Sequence, residues 1–303
     1  MHWEDVPRPV RAELEERLGA RVVEAVTQPQ GFSPGLAARL RLSDGRRVFM
    51  KAVSEQANPD TPGIHRREAR ILAALPAVAP VPRLLWSYDQ RGWVALALQD
   101  IEGRHPFEPW TDADLALVVA TYTKMAADLT PSPVAVDKTA AQGFEQEING
   151  WQVALLQSET RLDAWCMKHL LRLAELEARA PEASAGETLL HFDARADNLL
   201  IAGDQLYVLD WPWARTGAWW VDLVGMAPSI AMQGGPDPET FLRRLDLRDV
   251  SKDAIDAIVC ALAGYFVVHA LDPAPPGIPT VRAFQAAQGR AAVAWLRDRM
   301  GWG

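Results

Sequence analysis

His191-Phe192-Asp193-Ala194-Arg195-Ala196-Asp197-Asn198-Leu199-Leu200-Ile201, with Val208-Leu209-Asp210-Trp211 soon after it, is the stretch on which the reading of this chain turns. Its form is His-x-Asp-x4-Asn, an apolar strand, a turn, a second apolar strand and another Asp. Asp and Asn favour turns, so any one of them alone marks only a bend between strands. Together, with strands on both sides, they place oxygen-bearing side chains at defined points of a hairpin frame.

Moving a phosphoryl group onto a hydroxyl calls for two kinds of group. A carboxylate must sit beside the acceptor hydroxyl, and hard oxygen ligands must hold Mg²⁺ against the phosphates. A loop flanked by short strands can place Asp193 towards the acceptor and Asn198 towards the metal, and Asp210 would complete the metal site.

Working outward, the upstream third holds strand-like runs near Arg21–Thr27, Leu36–Leu42, Arg46–Val53, Arg83–Tyr88 and Trp93–Leu98. Gly31-Phe32-Ser33-Pro34-Gly35 and Ser43-Asp44-Gly45 supply turns. Pro9–Leu18 and His65–Leu75 have helical spacing. Gly31, Ser33 and Gly35 can bring backbone N–H groups close to phosphates, where a side chain would crowd them. Lys51 ends the alternating run Val48-Phe49-Met50-Lys51, and Glu68 on the following helix can pair with it. Past Gly103 the periodicity becomes helical, over Asp112–Leu129, Gln146–Ala178, Pro238–Leu245, Asp253–Leu271 and Ala283–Arg299. The fold class expected is α+β: a sheet-rich lobe at 1–101 and a larger, mainly helical lobe at 102–303, with ligands expected between two such lobes.

The His-x-Asp-x4-Asn and apolar-Asp-Trp pair resembles the aminoglycoside-phosphotransferase family, a branch of the protein-kinase-like fold. That resemblance implies a bilobal kinase with a small antiparallel-sheet lobe. It implies Asp193 as catalytic base, Asn198 and Asp210 as Mg²⁺ ligands, and His191 as a brace for the loop. Lys51 resembles the kinase lysine that touches the α- and β-phosphates. Val94-Ala95-Leu96-Ala97-Leu98-Gln99-Asp100-Ile101-Glu102-Gly103 resembles the interlobe hinge, which implies that the Gln99 carbonyl and Ile101 amide meet adenine, with Phe49 and Leu200 lining its faces. Gly217-Ala218-Trp219-Trp220-Val221-Asp222-Leu223 resembles the segment whose Asp anchors the catalytic loop, here Asp222. Arg195 stands where protein kinases often place a cation beside the transferred phosphate; a structural arginine is the other reading. Phe192 occupies a position where many relatives carry glycine, and is read as packing.

The implied activity is transfer of the ATP γ-phosphoryl group, with GTP as the other nucleotide the pattern admits. The acceptor would be an aminoglycoside or related hydroxylated antibiotic, which would make the protein a resistance enzyme. A metabolic amino alcohol, amino sugar or nucleoside-like compound is the alternative, and a non-catalytic nucleotide-binding relative is another. A hydrolase reading also exists, because Gly31 to Gly35 satisfies G-x-S-x-G, with Ser33, Asp100 and His191 as its triad; it leaves Lys51, Asn198 and Asp210 without a role.

The 303 residues carry a net charge of −8, which disfavours nucleic acid and anionic membrane as partners and favours a cationic small molecule. Cys166 and Cys260 lie in apolar runs and read as reduced thiols of a cytoplasmic protein. The opening residues show no signal-peptide pattern. Of the 12 tryptophans, positions 211, 213, 219 and 220 cluster, as core or as a stacking surface for a ring. Asp163, Glu175 and Glu177 read as solvated helix faces, or as carboxylates for a cationic acceptor. Oligomeric state has no signature in the sequence.

Overall fold

Alternation in the first hundred residues folds into an antiparallel sheet. A computed structural model describes residues 1–28, 35–275 and 278–303. Helix α1 (Arg8–Leu18) stops at Gly19, whose φ of 70° is the left-handed conformation that costs glycine no Cβ clash. Strands β1 (Val22–Thr27), β2 (Leu36–Leu42) and β3 (Arg47–Ser54) follow, then α2 (Thr61–Ala74), β4 (Leu84–Gln90) and β5 (Trp93–Gln99). The sheet order is β1-β2-β3-β5-β4, every neighbour antiparallel. In the central strand β3, Lys51 lies opposite Ala37 and Leu96.

Period two then sorts β3 by face. Val48, Met50 and Ala52 join Val10, Leu14 and Leu18 of α1 in one buried apolar cluster. Phe49 and Lys51 therefore face the other side, against α2. There Thr61, His65, Glu68 and Leu72 recur at helical spacing as a buried stripe. The helix begins ahead of the His65 start read from sequence, because Asn58 Oδ1 accepts the Thr61 amide at 2.8 Å and Pro62 suits a first turn.

The helical part comprises α3 (Asp112–Asp128), α4 (Ala140–Gln146), α5 (Gly150–Leu156), α6 (Ala164–Glu177) and α7 (Ala180–Ala183), then strands β6 (Thr188–Leu190), β7 (Leu199–Ala202), β8 (Gln205–Val208) and β9 (Arg215–Gly217), and finally α8 (Val221–Met232), α9 (Pro238–Leu242), α10 (Lys252–His269) and α11 (Val281–Met300). The single run expected over Gln146–Ala178 is two helices. Ser158 takes a φ of 53°, and Asp163 restarts the helix by accepting the Trp165 and Cys166 amides. Helix α8 is buried on almost every side, so no amphipathic period announces it.

The chain forms two compact units. The first contains Met1–His105 and Leu199–Pro212, so the β7–β8 hairpin belongs with the five-stranded sheet. Arg104 and Ile201 exchange both backbone hydrogen bonds, at 2.9 and 2.7 Å, and the Val208 amide donates to Pro80 O at 2.7 Å. The second unit contains Pro106–Asn198 and Trp213–Pro275, with α11. Its core is built around α10, where Ile255, Ala257, Ile258, Val259 and Ala261 are buried. Among the described residues no helix is long and apolar enough to cross a membrane.

Candidate active site

In the first unit the alternation of β3 and the stripe of α2 bring two opposite charges together. Lys51 Nζ donates to Glu68 Oε1 at 2.7 Å and is also paired with Asp210 Oδ1, from a residue 159 positions away. Glu68 is 2% exposed and Asp210 43%. Burial pulls the Lys51 ammonium towards neutrality, but Asp210 and Glu68 outweigh it, and its pKa is raised. Asp210 sits at φ 60°, a left-handed conformation that Asp tolerates better than most residues. The turn after it is closed by buried Trp211, whose Nε1 donates to Val208 O at 3.0 Å.

Gly31 and Ser33 lie outside the described residues. Gly35 has a packing requirement of its own, since a Cβ there would stand 2.5 Å from Ala52 O. Gln99 ends β5, its amide bonded to Arg83 O at 2.8 Å, and Ile101 follows in irregular chain. Phe49 and Leu200 are only half-buried, on strands whose neighbouring residues are buried. Asp100 is held by Arg39 at 2.7 Å and Arg47 at 2.8 Å. That engagement, and the strand rather than helix downstream of Gly35, remove the nucleophile-elbow reading.

In the second unit β6 pairs with β9, Leu190 opposite Arg215, and delivers the loop from His191 to Asn198. Asp222, in the first turn of α8, accepts the His191 amide at 2.7 Å and the Phe192 amide at 2.9 Å. Burial raises its pKa, against the neighbouring His191 and those two amides. Phe192 adopts φ 63°, a left-handed conformation that glycine enters without a Cβ clash and a bulky residue enters at a cost. Its ring stands edge-on to Phe144 at 5.5 Å with the Arg215 guanidinium 4.8 Å above it.

Asp193 is 28% exposed, with Arg195 Nε 3.5 Å from its Oδ1. Asn198 Nδ2 donates to Asp193 O at 2.8 Å and Oδ2 at 3.1 Å. With its amide hydrogens spent on Asp193, the Asn198 side-chain oxygen is the atom that could accept from a donor or hold a hard cation. Desolvation pushes the Asp193 carboxyl up, opposed by Arg195 and His191, which makes it a stronger base than a solvated carboxylate. Arg195 also binds Asp197, at 3.0 Å.

The sequence reading passed over three groups. Buried Arg215 pairs with Glu147 across Phe192; Tyr122 on α3 has a buried hydroxyl without a partner among the described residues, within the fields of Asp222 and Asp193; and His65 lies one turn from Glu68. Lone residues of these types carry no pattern that would single them out. Other expectations are redistributed. Trp211 and Trp220 are core, whereas Trp213 is exposed. Glu177 is not a solvated face: it is buried, accepting the Trp151 and Gln152 amides at 3.1 and 2.9 Å. Asp163 caps α6 and pairs with Arg297 at 2.7 Å. Glu175 lines a cavity of about 310 Å³ with Arg172, Arg179 and Trp302.

A model of the phosphotransferase enzyme family matches residues 30–252, most of the chain and all the site residues named above. The chain belongs to the phosphotransferase enzyme family. Solved structures agree on the fold of this phosphotransferase. A choline/ethanolamine kinase family protein from Mesorhizobium loti has a TM-score of 0.60 at 15% identity, over 96% of this chain and 94% of that one. A type I macrolide 2'-phosphotransferase gives 0.59 at 16%, over 96% and 98%. An amicoumacin kinase solved with AMP-PNP and Ca²⁺ gives 0.58 at 11%, over 95% and 93%. No curated protein sequence matches the chain. The phosphotransferase is thus an α+β protein of the kinase-like fold.

Proposed function

We propose that this phosphotransferase moves the γ-phosphoryl group of ATP onto a hydroxyl of a small molecule, with an aminoglycoside or related hydroxylated antibiotic as the first candidate acceptor and Mg²⁺ as the metal. The observation that carries this reading is the meeting of Lys51, Glu68 and Asp210, which come from β3, α2 and the far end of the β7–β8 hairpin to one point. Fixed between carboxylates, Lys51 stays charged and can neutralise phosphate oxygens. Asn198 and Asp210 offer the hard oxygens that Mg²⁺ prefers, with no His or Cys among them. When bound there, the ion would offset charge on the phosphates. Asp193 orients and deprotonates the acceptor hydroxyl, and Arg195 stands against it as the cation beside the transferred group. Asp222 holds the loop that presents Asp193. Gln99, Ile101, Phe49 and Leu200 take the adenine in this reading. Transfer is direct and in line, so no phosphorylated side chain lies on the path.

The antibiotic is favoured by the net charge of −8, which attracts polyamines, and by the resemblance of the sequence motifs. The free, buried thiols of Cys166 and Cys260 support a reducing cytoplasm as the place of action.

The test is ADP release from Mg·ATP across aminoglycosides, macrolides, amino sugars and amino alcohols, with Asp193→Asn alongside. Activity on one class should fall roughly 10²–10⁴-fold in the variant, as for loss of a general base, while ATP affinity stays within a few-fold. An Asp193→Asn protein as active as the parent would remove Asp193 from the mechanism.

A further inference from the structure

His65 is 3% exposed, and among the described residues neither Nδ1 nor Nε2 has a hydrogen-bond partner. A buried imidazole in that state leaves one N–H and one bare nitrogen unsatisfied, a cost that leucine in the same space would avoid. The ring stands one turn before Glu68 on the buried face of α2, the face that meets Lys51. Burial first, and the Lys51 charge second, pull its pKa down to about 3, with Asp210 acting the other way. The ring is therefore neutral and within the fields of both Lys51 and Asp210.

As the protein stands, Lys51 is shared between Glu68 and Asp210. A lysine that turns to a nucleotide phosphate withdraws a donor from Asp210 Oδ1. We propose that His65 takes over that place: its ring N–H donates to the Asp210 carboxylate once a bound nucleotide has drawn Lys51 away. His65 is then a positioning residue that keeps Asp210 aimed at its ligand. The inference rests on the nucleotide role of Lys51 and Asp210 proposed above.

The first readout is spectroscopic. Imidazole ¹⁵N–¹H correlation spectra of the full chain, with six histidines and His65→Gln for assignment, are recorded before and after saturation with Mg·AMP-PNP. The protonated ring nitrogen of His65 should shift and its N–H proton become slow to exchange. His65 signals unmoved at saturation overturn the proposal. The second readout is calorimetric affinity for Mg·AMP-PNP, set beside the unfolding midpoint without nucleotide. His65→Leu should weaken binding about 3- to 10-fold, the span of one net hydrogen bond, without lowering the midpoint. His65→Gln, which keeps an N–H donor, should recover part of the loss. A lowered midpoint with unchanged affinity would make the ring packing alone and sink the idea. A parent protein that does not bind Mg·AMP-PNP would bring down the nucleotide reading itself, and this inference with it.

Discussion

Phe192 shows how much one residue reveals once its backbone is seen. A bulky side chain at φ 63° costs of the order of 1 kcal/mol, and here its contacts with Phe144 and Arg215 offset that cost. Two truncations separate these effects. Both Phe192→Ala and Phe192→Gly lose the ring, but only Gly relieves the backbone. Phe192→Gly should be more stable than Phe192→Ala by about 1 kcal/mol in denaturant unfolding. Equal stabilities would mean that the left-handed backbone is unstrained. Asp193, Asn198 and Asp210 stand out in the sequence as candidates because phosphoryl transfer would restrict residue type and spacing at once. His65 and Arg215 do not, because their meaning lies in what surrounds them: a buried ring without a partner among the described residues, and a guanidinium over an aromatic face.

Among elements, strands were the more readable. β2 and β3 alternate because one face of each joins the buried apolar cluster with α1 while the other face is more open, so period two survives in the sequence. Where a helix is buried all round, as α8 is, that contrast disappears. The crossing of α5 and α10 was equally invisible. A Cβ on Gly150 would lie 2.2 Å from Gly264 O, and one on Gly264 would lie 2.7 Å from Glu177 Oε1. Gly150→Ala must therefore push two helix backbones apart, and should destabilise by at least the roughly 1–3 kcal/mol typical of overpacking. Gly63, on α2, has none of the described residues within 4 Å of its Cβ position. Gly63→Ala should raise stability by roughly 0.5–1 kcal/mol through helix propensity. Thermal or denaturant melts of the pair check both signs; a tolerated Gly150→Ala would refute the tight crossing.

For the whole molecule, the most consequential titration is that of Glu177, whose carboxyl is raised to about 7, chiefly by burial and against the Trp151 and Gln152 amides. The folded protein keeps a proton here that an unfolded chain gives up near 4.5. This contribution to stability is complete below that lower value and is lost as pH rises through about 7. At 1.36 kcal/mol per unit it amounts to roughly 3 kcal/mol. Stability should thus decline between about pH 5 and about pH 8, and Glu177→Gln should flatten the decline. A slope untouched by the substitution would place its origin elsewhere.

The β7–β8 hairpin has a further consequence, for modularity. The chain leaves the second unit after Asn198, contributes Leu199–Pro212 to the first, and returns at Trp213. Neither unit is thus a single uninterrupted segment. A gene fragment ending near Gln99 would lack Asp210, Leu200 and the strand that bonds to Arg104. Such a fragment could not be transplanted as a ready-made nucleotide cassette, and exchanging lobes between relatives would need grafting at three junctions at least. Of the two oxygen ligands proposed for the metal, Asp210 travels on that excursion, whereas Asn198 is the last residue the second unit keeps before it, so recombination could move one without the other.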